Sequence, residues 1–140
     1  MADLIKQCDP TPDDPTVVNP LNGIEMERLD IGGIKIDRCP STGAIWLDRG
    51  ELSRLSALGA AHRKALKALD VSRDDVTRRG VRGAIKSPRT GVPMMVVNDP
   101  QQSHIEFEVC PECGGCFFDA GELYDLLDYS FTERLKSFFS

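Results

Sequence analysis

A phrase of fourteen residues is written twice in this chain, and the repetition restricts its fold more than any other feature. Residues 39–52 read Cys-Pro-Ser-Thr-Gly-Ala-Ile-Trp-Leu-Asp-Arg-Gly-Glu-Leu, and residues 110–123 read Cys-Pro-Glu-Cys-Gly-Gly-Cys-Phe-Phe-Asp-Ala-Gly-Glu-Leu. The two align without a gap and share Cys, Pro, Gly, Asp, Gly, Glu and Leu at matching places. Self-similarity of this kind implies one small unit used twice. The copies differ where chemistry is concerned. The second holds Cys110 and Cys113, a turn with metal-ligand spacing, whereas the first holds Cys39 and Thr42.

The repeat extends upstream. Asn19-Pro20-Leu21-Asn22-Gly23 precedes the first copy and Ser87-Pro88-Arg89-Thr90-Gly91 the second. Each has Pro second and Gly fifth, the mark of a tight turn before an extended run. Cysteines at the first and fourth places of both turns, and at position 42, would complete two Cys-Pro-x-Cys turns per half. That is the ligand set of a four-cysteine zinc ribbon. On these residues the chain resembles the bacterial zinc-ribbon domains of the transcription-factor-IIB type. Their pattern is Cys-Pro-x-Cys, a β-hairpin, then Cys-Pro-x-Cys-Gly-Gly-x-Trp-Leu-Asp-x-Gly-Glu-Leu. The resemblance covers residues 19–58 and 87–130. It implies a small zinc-binding fold and, through the family's name, a link to transcription. The departures fall on the ligands. Asn19, Asn22 and Thr42 stand at ligand places in the first ribbon, and Ser87 and Thr90 in the second.

The expected architecture is small α+β: two zinc-ribbon-like units, each a β-hairpin with a third strand followed by an α-helix, related as a pseudo-repeat. Residues 1–18, rich in Asp and Pro, read as an extended N-terminal arm. Residues 19–70 read as the first ribbon with its helix, 71–86 as a basic connector, and 87–140 as the second ribbon with a C-terminal helix. Alternation over residues 24–29 and 34–37, around Asp30-Ile31-Gly32-Gly33, predicts the first hairpin. Residues 93–97 and 105–109 predict the second, and 45–47 a short third strand. Asp48 and Glu51, repeated as Asp119 and Glu122, read as capping boxes rather than catalytic carboxylates. A helix is expected from Arg49 to about Leu69, and a second basic helical stretch near 72–83. The last helix carries Leu123, Leu126, Leu127, Phe131 and Leu135, and Phe138 and Phe139 near its end suggest docking on the first half or on another subunit.

Each half is near 50 residues, a size at which a core alone rarely holds a fold without metal, disulfides or a partner. Five cysteines is an odd count and argues against a fully paired disulfide framework. No apolar run is long enough to span a membrane, and the N-terminus lacks a signal-peptide core. A cytoplasmic protein with reduced thiols is expected. Net charge is −5, but residues 61–90 hold nine Lys and Arg against three Asp. Arg73, Arg78, Arg79, Arg82 and Lys86 are the candidate contacts to nucleic acid or another anion. The alternative is that this basic run pairs with the chain's own acidic ribbons, since no aromatic residue interleaves it to stack bases.

Zinc needs four ligands, usually thiolate or imidazole. The first ribbon offers Cys39 alone. The second offers Cys110 and Cys113, with Cys116 and His104 as further candidates, so the expected cofactor is none or one zinc in the second ribbon. Cys116 also reads as a small buried hydrophobe, and Trp46 and Phe117 as core anchors. No nucleophile–base grouping is evident, so no catalysis is expected. The leading expectation is a non-enzymatic interaction or assembly protein, its partner another protein or its own copies. The second is zinc-dependent binding of nucleic acid or transcription machinery through residues 61–90, and the third redox-sensitive assembly through the cysteines.

Overall fold

Gly32 and Gly33, both at positive φ, make the two-residue turn of the first hairpin. The computed structural model describes residues 4–70, 85–98 and 106–128. Ten elements lie within them: β1 (Ile5–Gln7), β2 (Glu27–Ile31), β3 (Ile34–Arg38), β4 (Ile45–Leu47), α1 (Glu51–Ser56), α2 (Ala60–Leu69), β5 (Met95–Asn98), β6 (Glu106–Val109), β7 (Cys116–Phe118) and α3 (Glu122–Asp128). The strands form one antiparallel seven-stranded sheet in the order β1-β2-β3-β4-β7-β6-β5.

The join between β4 and β7 makes the sheet continuous. Ile45 lies opposite Phe118, Trp46 opposite Phe117 and Leu47 opposite Cys116. Trp46 and Phe117 occupy matching places in the two copies of the repeated phrase, so equivalent residues meet at the middle of the sheet. Strand alternation then sorts the side chains. On one face Ile36, Ile45, Leu47, Phe107, Cys116 and Phe118 pack against the leucines of the three helices. Phe107 and Phe118 stack there with ring centroids 4.8 Å apart. On the other face Trp46 and Phe117 pack with Val17, Met26, Ala44, Ile85 and Met94 from the turns and the arm. Burial of such aromatic rings on both faces is the main apolar stabilisation available to so small a chain.

Several sequence expectations shift. The single helix expected from Arg49 to Leu69 is two, because Leu58 and Gly59 interrupt it and α2 restarts behind Gly59, an extended N-cap. The extended arm contributes a strand: β1 pairs with β2, and Val17 is buried. The expected strand over 24–29 begins later, at Glu27, with Glu25 in an isolated bridge to Val18. In both capping boxes the glutamate reaches back to the aspartate's backbone N–H. Glu51 Oε1 accepts from the Asp48 backbone N–H at 2.8 Å, and Glu122 Oε1 from that of Asp119 at 3.0 Å. The Asp48 carboxylate, however, accepts from Trp46 Nε1 at 2.9 Å rather than from the helix. Helix α3 takes its cap from far away in sequence. The buried Asp70 carboxylate, just past α2, accepts from the backbone N–H groups of Gly121 and Tyr124 at 2.8 and 2.7 Å. The basic helical stretch expected near 72–83, and Phe131, Leu135, Phe138 and Phe139, lie outside the described residues.

Glu51 supplies a pH dependence. Burial pushes its carboxyl up to about 7, aided by the charges of Asp48 and Asp37 and opposed by the Asp48 backbone bond and Arg54. A raised acid pKa means the folded protein holds a proton that the unfolded chain has released. Its contribution is therefore complete below the usual value of 4.5 and is lost as pH rises through about 7. Glu51→Gln keeps an oxygen for the Asp48 N–H and removes the titration. Between pH 5 and pH 8 the urea midpoints of the native chain should fall relative to those of Glu51→Gln, the low-lying thiols of Cys39 and Cys110 acting on both chains alike. Parallel curves for the two would refute the assignment.

Candidate metal centre

The four turns that would carry a zinc ribbon's ligands share one backbone geometry. In each, the first residue donates its N–H to the carbonyl of the sixth at 2.8 Å: Asn19 to Ile24, Cys39 to Ala44, Ser87 to Val92 and Cys110 to Gly115. In each, the glycine at the fifth place donates to the carbonyl of the first, at 2.8 to 2.9 Å. Those glycines, Gly23, Gly43, Gly91 and Gly114, have φ between 73° and 86°. Only glycine adopts that conformation without strain, which is why it recurs at this place.

The side chains at the lost ligand places act within the turns. In a cysteine turn the sulfur accepts backbone N–H bonds, as Cys110 Sγ does from Cys113 N at 3.3 Å. Asn19 Oδ1 takes that role toward Leu21 N at 2.9 Å, and Ser87 Oγ toward Arg89 N at 3.2 Å and Thr90 N at 3.3 Å. At the fourth places, Asn22 Oδ1 accepts from Ile24 N at 2.9 Å, Thr42 Oγ1 from Ala44 N at 3.1 Å, and Thr90 Oγ1 from Val92 N at 3.3 Å. These are Asx- and hydroxyl-type turns, in which short polar side chains satisfy the backbone that a thiolate would otherwise satisfy.

Facing turns also bond to each other. In the first half Asn19 Nδ2 donates to Thr42 Oγ1 at 3.4 Å, and Asn22 Nδ2 to Ser41 Oγ at 3.4 Å and Cys39 Sγ at 3.8 Å. In the second half Thr90 Oγ1 and Cys110 Sγ lie 3.4 Å apart. The thiols respond to these donors. Burial would raise Cys39, but hydrogen bonds from Asn19, Ser41 and Thr42 outweigh it and hold the thiol down at about 6. Burial likewise opposes, and bonds from Ser87, Thr90 and Cys113 outweigh it, at Cys110, also held at about 6. Burial and the neighbouring Cys110 raise Cys113. Burial pushes Cys116 up to about 12, with Cys113 and Cys110 adding to it.

Among the described residues these donors do not make up a set of four thiolate or imidazole ligands. The first half brings together one thiol, two amides and a hydroxyl; the second brings two thiols and two hydroxyls. Among the described residues no three His, Cys, Asp or Glu stand where they could hold a metal ion. Cys116, a candidate recruit, instead faces the helices within the core, as its hydrophobic reading anticipates. His104, the other recruit, lies outside the described residues, as do Arg73, Arg78, Arg79 and Arg82. Lys86 is exposed beside an isolated bridge to Pro93.

The sequence reading overlooked Arg89 as a cross-chain clamp. From the third place of its turn it reaches the first half, donating to Asp48 at 3.1 and 3.0 Å, to the Pro15 carbonyl at 2.6 Å and to Asp14 at 3.3 Å. Its only sequence signal is a cation in a basic run opposite an acidic arm, so at this residue the run pairs with the chain's own carboxylates. Next to it Arg28 and Asp37 form a buried pair at 2.6 Å. No helix among the described residues is long and apolar enough to cross a membrane.

Comparison with known proteins finds the same family in both halves. No curated protein and no solved structure matches the chain. A family model described as a transcription factor zinc-finger, the zinc ribbon of transcription factor IIB, matches residues 22–57 and again 91–129. Those two segments cover more than half of the chain and contain the hairpins, third strands and following helices of both halves. The protein thus belongs, as a tandem pair of ribbons, to the transcription factor zinc-finger family.

Proposed function

We propose that this chain is a non-enzymatic interaction or assembly protein, built on two pseudo-repeated ribbons whose turns are held by side-chain hydrogen bonds in place of metal. The observation that carries the reading is the substitution pattern. Asn19, Asn22, Thr42, Ser87 and Thr90 each accept a backbone N–H that keeps the turn in shape. A ribbon that loses zinc loses much of its folding free energy unless something compensates. Here the compensation is the turn bonding together with the shared sheet and the Arg89 clamp. A scaffold kept while its ligands are exchanged serves through its surface, as an adaptor for another protein or for its own copies.

Native mass spectrometry of the purified chain is the test. The native chain is expected to fold without stoichiometric zinc. Ser87→Cys with Thr90→Cys, which completes four thiols in the second half, is expected to bind one zinc that a chelator removes. A zinc already present in the native chain and lost with Cys110→Ser would overturn the reading in favour of zinc-dependent binding of nucleic acid or transcription machinery through residues 61–90. That alternative predicts affinity falling steeply with salt. The low-lying thiols of Cys39 and Cys110 favour a second reading, redox-sensitive assembly. It predicts a change of oligomer size on adding reductant, and unchanged size removes it. A monomer that binds no other protein would remove the interaction reading itself.

A further inference from the structure

Among the described residues the sheet ends in two edge strands, β1, which is three residues long and carries Lys6, and β5, which carries no charge. On the first edge β1 lies along β2, with Lys6 opposite Asp30. On the far edge β5 pairs with β6, and no strand among the described residues lies on its outer side. An open edge presents unpaired N–H and C=O groups to any extended segment. Charge and proline within the strand are two of the devices that blunt native edges. Strand β5, Met95-Val96-Val97-Asn98, has neither. Met95 is 58% and Val96 39% exposed. The matching places in the first half hold Glu27, Arg28, Leu29 and Asp30, three of them charged. That correspondence is anchored by the bridges Val18–Glu25 and Lys86–Pro93 at the same spacing in the two halves.

We infer that the outer edge of β5 pairs with β5 of a second copy of this chain, joining two seven-stranded sheets antiparallel across a two-fold axis normal to the sheet. This deepens the interaction reading above, on which it rests, by naming the surface and the partner. Self-pairing sets each residue against a copy of itself or of a near neighbour, so a charged strand would meet like charge. The four residues of β5 carry none. The geometry is restrictive as well. A two-fold axis normal to the sheet keeps every side chain on its own face, so a residue can oppose only itself or one an even number of places away. Centred on Val96, it sets Val96 against Val96 and Met95 against Val97, all apolar. The chain already contains this arrangement within itself. At the β4–β7 join the equivalent residues Trp46 and Phe117 are opposite, and their neighbours Ile45 and Phe118 follow the same rule. An isologous contact of this kind closes at two subunits. A four-residue pairing is small, so dissociation on the order of micromolar or weaker is expected.

The test is sedimentation velocity of the full chain in reductant over a rising concentration series. The native chain is expected to pass from monomer to dimer. Val96→Lys and Val96→Glu, each alone, should weaken association about tenfold or more. An equal mixture of the two should recover the dimer, which a folding defect could not do, and far-ultraviolet circular dichroism checks that each variant keeps its sheet. A native chain that stays monomeric at every concentration overturns the inference, as does dimerisation unchanged in both variants. If the monomer binds a different protein, and Val96→Lys abolishes that binding, self-pairing falls while the interaction reading stands. A monomer with no protein partner overturns both.

Discussion

Gly115→Ala is expected to destabilise the fold by about 3 kcal/mol, although it adds one methyl group. A Cβ at Gly115 would stand 2.1 Å from Trp46 Cζ2 and 2.5 Å from Cη2. Trp46 is fully buried at the middle of the sheet, and its indole Nε1 is held by Asp48, so the ring has nowhere to move. The other half contains the solution in reverse. Ala44 stands at the place of Gly115, and the aromatic residue at the place of Trp46 is the smaller Phe117. Trp46→Phe combined with Gly115→Ala would therefore reproduce the other half's pairing. The double variant is expected to recover part of the loss, with a coupling of about 1–3 kcal/mol between the sites. Urea midpoints of the four chains in the cycle measure it. A single Gly115→Ala within about 0.5 kcal/mol of native would mean that the ring does not cover this backbone.

The second large effect is expected from Arg28→Ala, about 3–5 kcal/mol by the general cost of breaking a buried ion pair. Arg28 donates to Asp37 at 2.6 Å through Nε and at 3.4 Å through Nη2. It also donates to Asp14 and to the carbonyls of Asp14 and Pro15, fastening the arm to the sheet. Burial is the stronger influence on the Asp37 carboxyl and holds it above the usual range, while Arg28 draws it back. Removing Arg28 strands that carboxylate, leaving it among the described residues the Val17 N–H at 3.1 Å and the more distant Arg89 at 4.0 Å. Lysine cannot replace the planar fork that reaches these acceptors together. Arg28→Ala with Asp37→Ala should lose less than the two single variants together, because neither charge is then stranded. Strict additivity in thermal melts would show that the pair does not act as a unit.

Much of the local structure was legible in the residues, and the physical reason is short range. The four turns follow from glycine at the fifth place, whose φ near +80° other residues resist. The hairpins follow from alternation around turn residues, and Cys116, Trp46 and Phe117 were readable as buried from their places in the strands. The boundaries were less legible. Leu58-Gly59 carries helical periodicity across a break at which Gly59 becomes an extended N-cap, and α2 beyond it packs on α3, with Lys67 over the Tyr124 ring at 5.3 Å. The candidate centre was legible as a set of places but not as a set of interactions. The spacing identified which residues stand where ligands would. That asparagine, serine and threonine would take over the backbone bonds of a thiolate became evident only with the turns closed.

The sequence by itself determined the repeated phrase, its turns, its hairpin strands and the absence of cysteine from one or more of the four ligand places in either half, because each depends on residues within one turn or one strand of each other. The tertiary structure alone decided that β4 joins β7, that the arm supplies β1, that Asp70 caps α3, and that Arg89 ties the second turn to Asp14 and Asp48. Several of these contacts join residues about fifty to seventy-five positions apart. No local periodicity encodes such partners; they are chosen by which apolar faces and which charges remain unsatisfied once the two halves have folded, and by the single sheet that satisfies them together.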